Sequence, residues 1–467
     1  MKQIITFFTQ TPRNTFYPLT LTRPVYDLRL GIDTLGEKWM MELHADQNPA
    51  GIQYPDHKDL FPSPLTLPSN SAESFAKSTP KFSAELSKSS AEVRFLWIDP
   101  CFLPSPELAV LVSNLSFQSG LMSNGRAIAV CLDGENHQKR VDGGHGFRPD
   151  NDPGIQWIDL LANPPANSTA ADETDPERTS VLEPIVIEHI WDLLTHNGAQ
   201  ISEDLRRREH RNTGSRATLH RIDPDTDAST RTHPSMSVPF TLFGTHPIYV
   251  GEGAVVEPGV TFLTGSGPIY LANGCHIMAG SLLRGPVAIG AGATVKMGAK
   301  LYENTSIGPV CKVGGEISGS IFHSYSNKGH DGFVGDSLIG QWCNLGADTN
   351  TSNLKNNYGT VKVTHPVTGE KSDSGKQFLG TMMGDHSKTA INAMLNTGTV
   401  CGVSCNLLAG TVHPVALRSF RWVTDQENVE YRFEKAAETM RRVMARRNVD
   451  VTDAYLGMMR SIFDRAE

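Results

Sequence analysis

The segment LANGCHIMAGSLLRGPVAIGAGATVKMGAKLYENTSIGPVCKV, Leu271 to Val313, decides the architecture. Its large aliphatic side chains recur at every sixth position: Leu271, Ile277, Leu283, Ile289, Val295, Leu301, Ile307 and Val313. The position four after each of the first seven is mostly small (Cys275, Ser281, Ala293, Ala299, Thr305, Cys311), with Val287 the larger exception. Helical and extended backbones repeat with periods of about 3.6 and 2, and neither produces this series. A triangular coil does. Each hexad is one side, the aliphatic points into the prism, the small residue turns the corner, and stacked coils bury a continuous apolar column. The pattern predicts a left-handed parallel β-helix of hexapeptide repeats, with glycines at corners that need positive φ. Val250, Val256 and Phe262 keep the period in a shifted frame, and Phe333, Ile339 and Leu345 resume it, so the helix is expected over 241–413. The period stops between Val313 and Phe333, and again between Leu345 and about Leu379. Both gaps are expected to be loops thrown out from the prism, and loops on a rigid scaffold are where function concentrates.

On either side the pattern changes. Apolar runs at Ile4–Phe8, Val93–Ile98 and Ala127–Leu132 alternate with helix-like stretches at Asp33–His44 and Ser105–Leu115, which predicts an α/β domain with a partly parallel sheet. Ser105 followed by Pro106 and Glu107 marks a helix start. Residues 48–88 and 163–180 are polar, weakly periodic, and expected to be surface loops or disordered insertions. The polar run Glu203–Pro234, with Arg206, Arg207 and Arg208, reads as a solvated linker, with an anion-binding stretch as the alternative. Beyond Pro414, apolar spacing predicts an amphipathic helix over Glu427–Arg447 and another over Asp453–Arg465. Arg441, Arg442, Arg446 and Arg447 lie on the first, as a solvated face or as phosphate contacts.

A length of 467 residues allows two or three domains, and a net charge of −8 gives no reason to expect nucleic acid or an anionic membrane as partner. No apolar run reaches the ~18 residues of a membrane span, and Met1–Gln10 lacks the features of a signal peptide. The seven cysteines are scattered with no Cys-x-x-Cys pair, so they read as buried free thiols of a cytoplasmic protein.

The segment HSYSNKGHDGFVGDSLIG, His323 to Gly340, carries the chemistry. Its Gly329-His330, Gly335-Asp336 and Ile339-Gly340 resemble the acetyltransferase half of the bacterial bifunctional N-acetylglucosamine-1-phosphate uridyltransferases. Asn344-Leu345-Gly346-Ala347-Asp348-Thr349 is similar to that family's Asn-Ile-Gly-Ala-Gly-Thr. A longer resemblance, to a divergent GlmU-like sugar nucleotidyltransferase family, rests on Pro18–Trp39, Trp191–Gly198, Ser352–Gly359 and Gly384–Val403. It implies a nucleotidyltransferase-like α/β domain over 1–240, the β-helix acyltransferase domain, and a helical segment over 414–467.

For the β-helix, the resemblance implies His330 as general base and acetyl-CoA as acyl donor. Asn353, and Tyr358 with it, would hold an amino-sugar phosphate, and Ala347 would lie beside the CoA. His386, Ser387 and Lys388 either contact the CoA phosphates or cap a coil. Asp336 orients the base or caps a turn, and His323 shares the segment. The assembly implied is a homotrimer.

For the N-terminal domain, the family's Gly-x-Gly phosphate loop is missing from Pro18–Pro24. Arg23, Arg29 and Lys38 are the candidate ligands for a nucleoside triphosphate. Asp99 either binds Mg²⁺ or starts the turn before Pro100. A nucleotidyltransferase without acyl transfer, and a non-catalytic trimeric scaffold, are the alternatives.

Overall fold

A computed structural model describes residues 2–10, 13–43, 93–143, 147, 149, 152, 154–161, 183–211, 219–224 and 240–465. The insertions expected at 48–88 and 163–180 lie outside the described residues, as does most of the stretch read as a linker. The chain divides into two compact units that do not follow chain order. One holds Met1–Thr15, Pro24–Asp27 and Leu35–Glu188, and the other Phe16–Arg23, Leu28–Thr34 and His189–Glu467.

The first unit is built on a five-stranded mixed sheet, in the order Lys2–Phe7, Val93–Ile98, Arg126–Leu132, Ser119–Ser123, Gln156–Asp159. The first two strands pair in parallel and the last two do likewise, with antiparallel joins between. The anticipated strands and helices are all present, the helices at Leu35–Glu42 and Pro106–Ser113. Ser105 caps the second by accepting the Leu108 N–H at 3.2 Å. Leu96, Ile98, Leu108, Val112 and Ile128 form its core.

The second unit is a three-faced parallel β-solenoid. Leu271, Ile289, Ile307, Phe322, Ile339, Met383, Cys401 and Leu417 stack down one face. Phe262, Leu283, Leu301, Ile317 and Val334 stack down another. Eighteen residues separate Leu271 from Ile289 and Ile289 from Ile307, which is three hexads per turn.

The first expected gap is not a loop. Glu316–Ser318, Ile321–Phe322, Asn327–Lys328 and Phe333–Gly335 are strands of the prism in unbroken register. The coils here are shorter, with fifteen residues from Ile307 to Phe322 and from Val313 to Lys328. Residues are dropped at corners while the sides keep their pairing, so a strict six-residue count loses phase. It also slips by one, because Val334 is fully buried while Phe333 is only partly so. The second gap is a true excursion, though narrower than expected. Thr351 still points inward, Leu354 and Phe378 bridge its base, and Lys362–Thr364 pairs with Lys371–Asp373 as a hairpin.

One corner changes chemistry along the prism. Gly253, Gly274 and Gly292 turn it at positive φ, followed by Val310, Tyr325, Trp342, His386, Ser404 and Phe420, also at positive φ. Such φ is uncommon for bulky residues and needs support from packing. The support is a stack: Tyr325 on Trp342 at 4.1 Å between ring centroids, then Trp342 on His386 at 6.1 Å. The C-terminal helices cover it, with Tyr455 on His386 and Phe463 edge-on to Phe420. Glycine ends at this corner with Gly292, and the bulky residues that follow are packed by one another and by the helices.

Those helices are Phe433–Ala445 and Asp453–Asp464. The first starts later than its periodicity predicts. Asn428–Glu430 is a strand, antiparallel to Arg421–Val423, which still stacks on the prism.

Candidate functional site

His330 stands at a glycine-rich corner, between the Gly315 corner of one coil and the Asp348 corner of the next. A Cβ on Gly315, at φ +69°, would meet the His330 carbonyl oxygen at 2.9 Å. Asp348 N donates to Asp331 O at 2.9 Å, which joins this corner to the Ala347–Asp348 corner of the next coil. The His330 side chain is exposed. Asn353, at the start of the excursion, donates to Asp336 Oδ2 at 2.6 Å. Burial pushes the Asp336 carboxyl up from its usual range, against the pull of that hydrogen bond. Asp336 holds Asn353 rather than a histidine. Tyr358, on the excursion, is 68% exposed at positive φ.

Of the residues expected to meet CoA, His386 and Ser387 are enclosed. His386 Nε2 lies 2.8 Å from Tyr455 Oη, and Ser387 Oγ donates to Gly402 O while accepting the Cys405 N–H. They cap and strut coils, and neither side chain is open to a ligand. Lys388 is partly exposed; its Nζ donates to His386 O at 2.7 Å, and burial lowers it to about 8.

The expected phosphate ligands are engaged elsewhere. Arg23, 3% exposed, forms a buried ion pair with Asp385, and its Nη1 lies 3.0 Å from His323 Nδ1. Thr22 Oγ1 and the Gln341 N–H also donate to Asp385, both at 2.8 Å. Arg23 is therefore a clasp inside the solenoid unit and not a free cation in a phosphate loop. Arg29 is half-buried and donates to Ile32 O. Lys38 is wholly buried in the helix Leu35–Glu42.

Asp99 is also wholly buried. It accepts the Cys101 N–H at 3.0 Å and the Gln10 N–H at 3.2 Å, and burial raises its pKa. This is the turn-forming role. Arg126 Nη2 also lies 3.8 Å from Asp99 Oδ2, so the carboxylate is held by neighbours on both oxygens, which suits a turn former.

Arg207 and Arg208, read as part of a linker, lie on the helix Asp192–Arg211 and pair with Asp204 and Asp33. On the same helix Asn197 accepts from Gly31 N at 2.7 Å and donates to Asn304 O at 2.7 Å. The motif segments Leu28–Thr34 and Trp191–Gly198 thus meet on the solenoid. All seven cysteines are buried free thiols, as expected.

His323 and His386 are held neutral by burial, then by Arg23 and Arg29 for the first and Lys388 for the second. A histidine depressed in the folded state leaves the unfolded chain to take up the proton first. Stability is expected to fall as pH drops below about 6.5, measured as a declining melting temperature, and less steeply in a His323→Gln variant.

Lys328 was missed from sequence. It is fully buried at an inward position of the prism, and burial lowers it to about 8. Below that pH the folded protein bears the whole cost of the buried charge. Between about 8 and 10.5 the folded state sheds the proton before the unfolded one, so stability rises with pH. Lys328→Met is expected to be more stable than wild type at pH 7 by up to about 3 kcal/mol, with the gap closing by pH 10.5. Denaturant melts across that range measure it.

Comparison with known proteins gives one family match and several partial relatives. Residues 4–213 match the family model described as sugar nucleotidyl transferase. The bifunctional protein GlmU of Methanocaldococcus jannaschii is 31% identical over 132 residues, 28% of this chain and 31% of that one. GlmU of Synechococcus elongatus is 26% identical over 284 residues, 55% and 54% of the two chains. The bifunctional sugar-1-phosphate nucleotidylyltransferase/acetyltransferase of Sulfurisphaera tokodaii is 34% identical over 97 residues, 21% and 24%. These matches span between about a quarter and a half of the relatives' own length. No helix among the described residues is long and apolar enough to cross a membrane. The chain thus resembles sugar nucleotidyl transferases over residues 4–213, is similar over part of its length to bifunctional GlmU proteins, and carries a β-solenoid with C-terminal helices.

Proposed function

We propose that the solenoid unit transfers an acetyl group from acetyl-CoA to the amine of an amino-sugar phosphate, with His330 as general base. One observation carries this. Of the three histidines near the motif, His323 and His386 are buried and pinned, and His330 alone offers its imidazole to a ligand. An amine attacks a thioester only through its free lone pair. The nitrogen bonds to the carbonyl carbon, His330 takes the proton the amine sheds, the C–S bond breaks, and the CoA thiolate leaves and is protonated.

Asn353, oriented by Asp336, and the exposed Tyr358 would hold the sugar, and the Ala347 corner would run along the CoA. Lys388 remains a candidate for the CoA phosphates. The active form in this reading is a homotrimer in the cytoplasm.

The test is CoA release from acetyl-CoA with glucosamine-1-phosphate as acceptor. No release with this or other amino-sugar phosphates would remove the proposal.

The match over residues 4–213 favours a second activity, nucleotidyl transfer to a sugar-1-phosphate. The engagement of Arg23, Lys38 and Asp99 weighs against those residues as its ligands. Pyrophosphate release from UTP or dTTP with Mg²⁺ and sugar-1-phosphates tests it, and silence with all of them would refute it.

A further inference from the structure

One face of the prism stacks Val256, Ile277, Val295 and Val313 inward, and then Lys328. The next residue in the column is Leu345, whose N–H donates to Asn327 O at 2.8 Å. A lysine here replaces an aliphatic at the position where the repeat most needs one. Its side chain is wholly enclosed, so its charge is held without water, which a fold tolerates only where the ammonium has partners. Lys328 has two. Its Nζ donates to Gly314 O at 3.1 Å and to His330 O at 2.6 Å.

These two carbonyls belong to successive corners of one edge. Gly314 precedes the Gly315 turn, and His330 lies above it, so closely that a Cβ on Gly315 would also meet Asp331 Cα at 2.9 Å and Gly332 O at 2.7 Å. The inward ammonium therefore ties two corners together from beneath. Asp331, from the same coil, and Asp348, from the next, are the charged groups near enough to favour it. A glycine-rich corner has few side chains to fix it and wide backbone freedom. Charge-assisted hydrogen bonds to its carbonyls restrict that freedom at the residue from which the His330 imidazole projects.

We infer that Lys328 is a positioning residue, a clamp inside the prism that fixes the Gly329–Gly332 corner and so aims His330. The inference rests on the proposed role of His330 for its effect on catalysis, but the clamp itself is a property of the backbone. An aliphatic side chain in its place would pack in the column and release the corner.

Lys328→Met tests it by two readouts on the full-length protein. In hydrogen exchange, the amides of 329–332 are expected to exchange about tenfold faster than in wild type, while coils remote from this corner are unchanged. In CoA-release kinetics, kcat is expected to fall about tenfold with the KM for acetyl-CoA within about twofold, the pattern of a misaimed base in an intact site. Unchanged exchange at 329–332 overturns the clamp. Faster exchange with an unchanged kcat overturns the aiming of His330. If His330→Ala retains full activity, the base assignment has failed, and the exchange readout still decides the clamp. Should Lys328→Met not fold, exchange in wild type decides: amides at 329–332 exchanging at the rate of an unstructured peptide would refute the proposal.

Discussion

His330→Ala is expected to lower the turnover of acetyl transfer by about 10²–10⁴-fold, the range that a positioned general base contributes. The amine acceptor is protonated near neutral pH, and without a base at the corner water must remove its proton. The imidazole is exposed, and removing it opens no cavity and strands no buried partner. The melting temperature should therefore stay near that of wild type, with a stability change within about 0.5 kcal/mol. Steady-state CoA release beside a thermal melt separates the two effects. A variant that keeps wild-type turnover would remove His330 from the mechanism. His323→Ala should behave in the opposite way, losing stability, because His323 is buried against Arg23.

The second large effect lies in the clasp. Asp385→Ala is expected to destabilise the solenoid unit by about 3–5 kcal/mol, the cost of leaving a buried cation without its partner. Arg23 would keep only Leu19 O, 3.3 Å from its Nε, and the His323 ring. Thr22 Oγ1 and the Gln341 N–H would lose their acceptor in the same change. Replacing both members, as Arg23→Met with Asp385→Leu, should recover much of the loss, since a buried ion pair gains little over well-packed apolar groups. Chemical denaturation of the single and double variants measures the coupling. Equal loss in the Asp385→Ala and double variants would show that the stranded Arg23 is not the source of the loss.

The solenoid was legible because one short hexad pattern repeats, and each residue in it has a single neighbour above and below. Its later coils were not, for two physical reasons. Corners can lose residues without disturbing the sides, so the count from Val313 to Lys328 breaks while the pairing does not. The corners at Tyr325, Trp342 and His386 are aromatic because helices bury them, and a local pattern does not report a contact with residues such as Tyr455, 69 positions away.

The candidate site divides in the same way. His330, Ala347 and Asn353 sit on motif spacing that a sequence displays. Arg23, Lys38 and His386 have suitable chemistry but are buried, and burial is set by distant segments. Lys328 was passed over because a single lysine carries no sign of which way it points.

The clasp also has a consequence for how the chain is made. Arg23 and Asp385 are 362 residues apart. At about 5–20 residues per second, the ribosome needs roughly 20–70 s to deliver the aspartate after the arginine has emerged. Through that interval Phe16–Arg23 waits without its partner, in the midst of a sequence whose other segments are ready to fold. The nascent chain thus holds an exposed arginine, with leucines on either side, until nearly the whole solenoid has been synthesised.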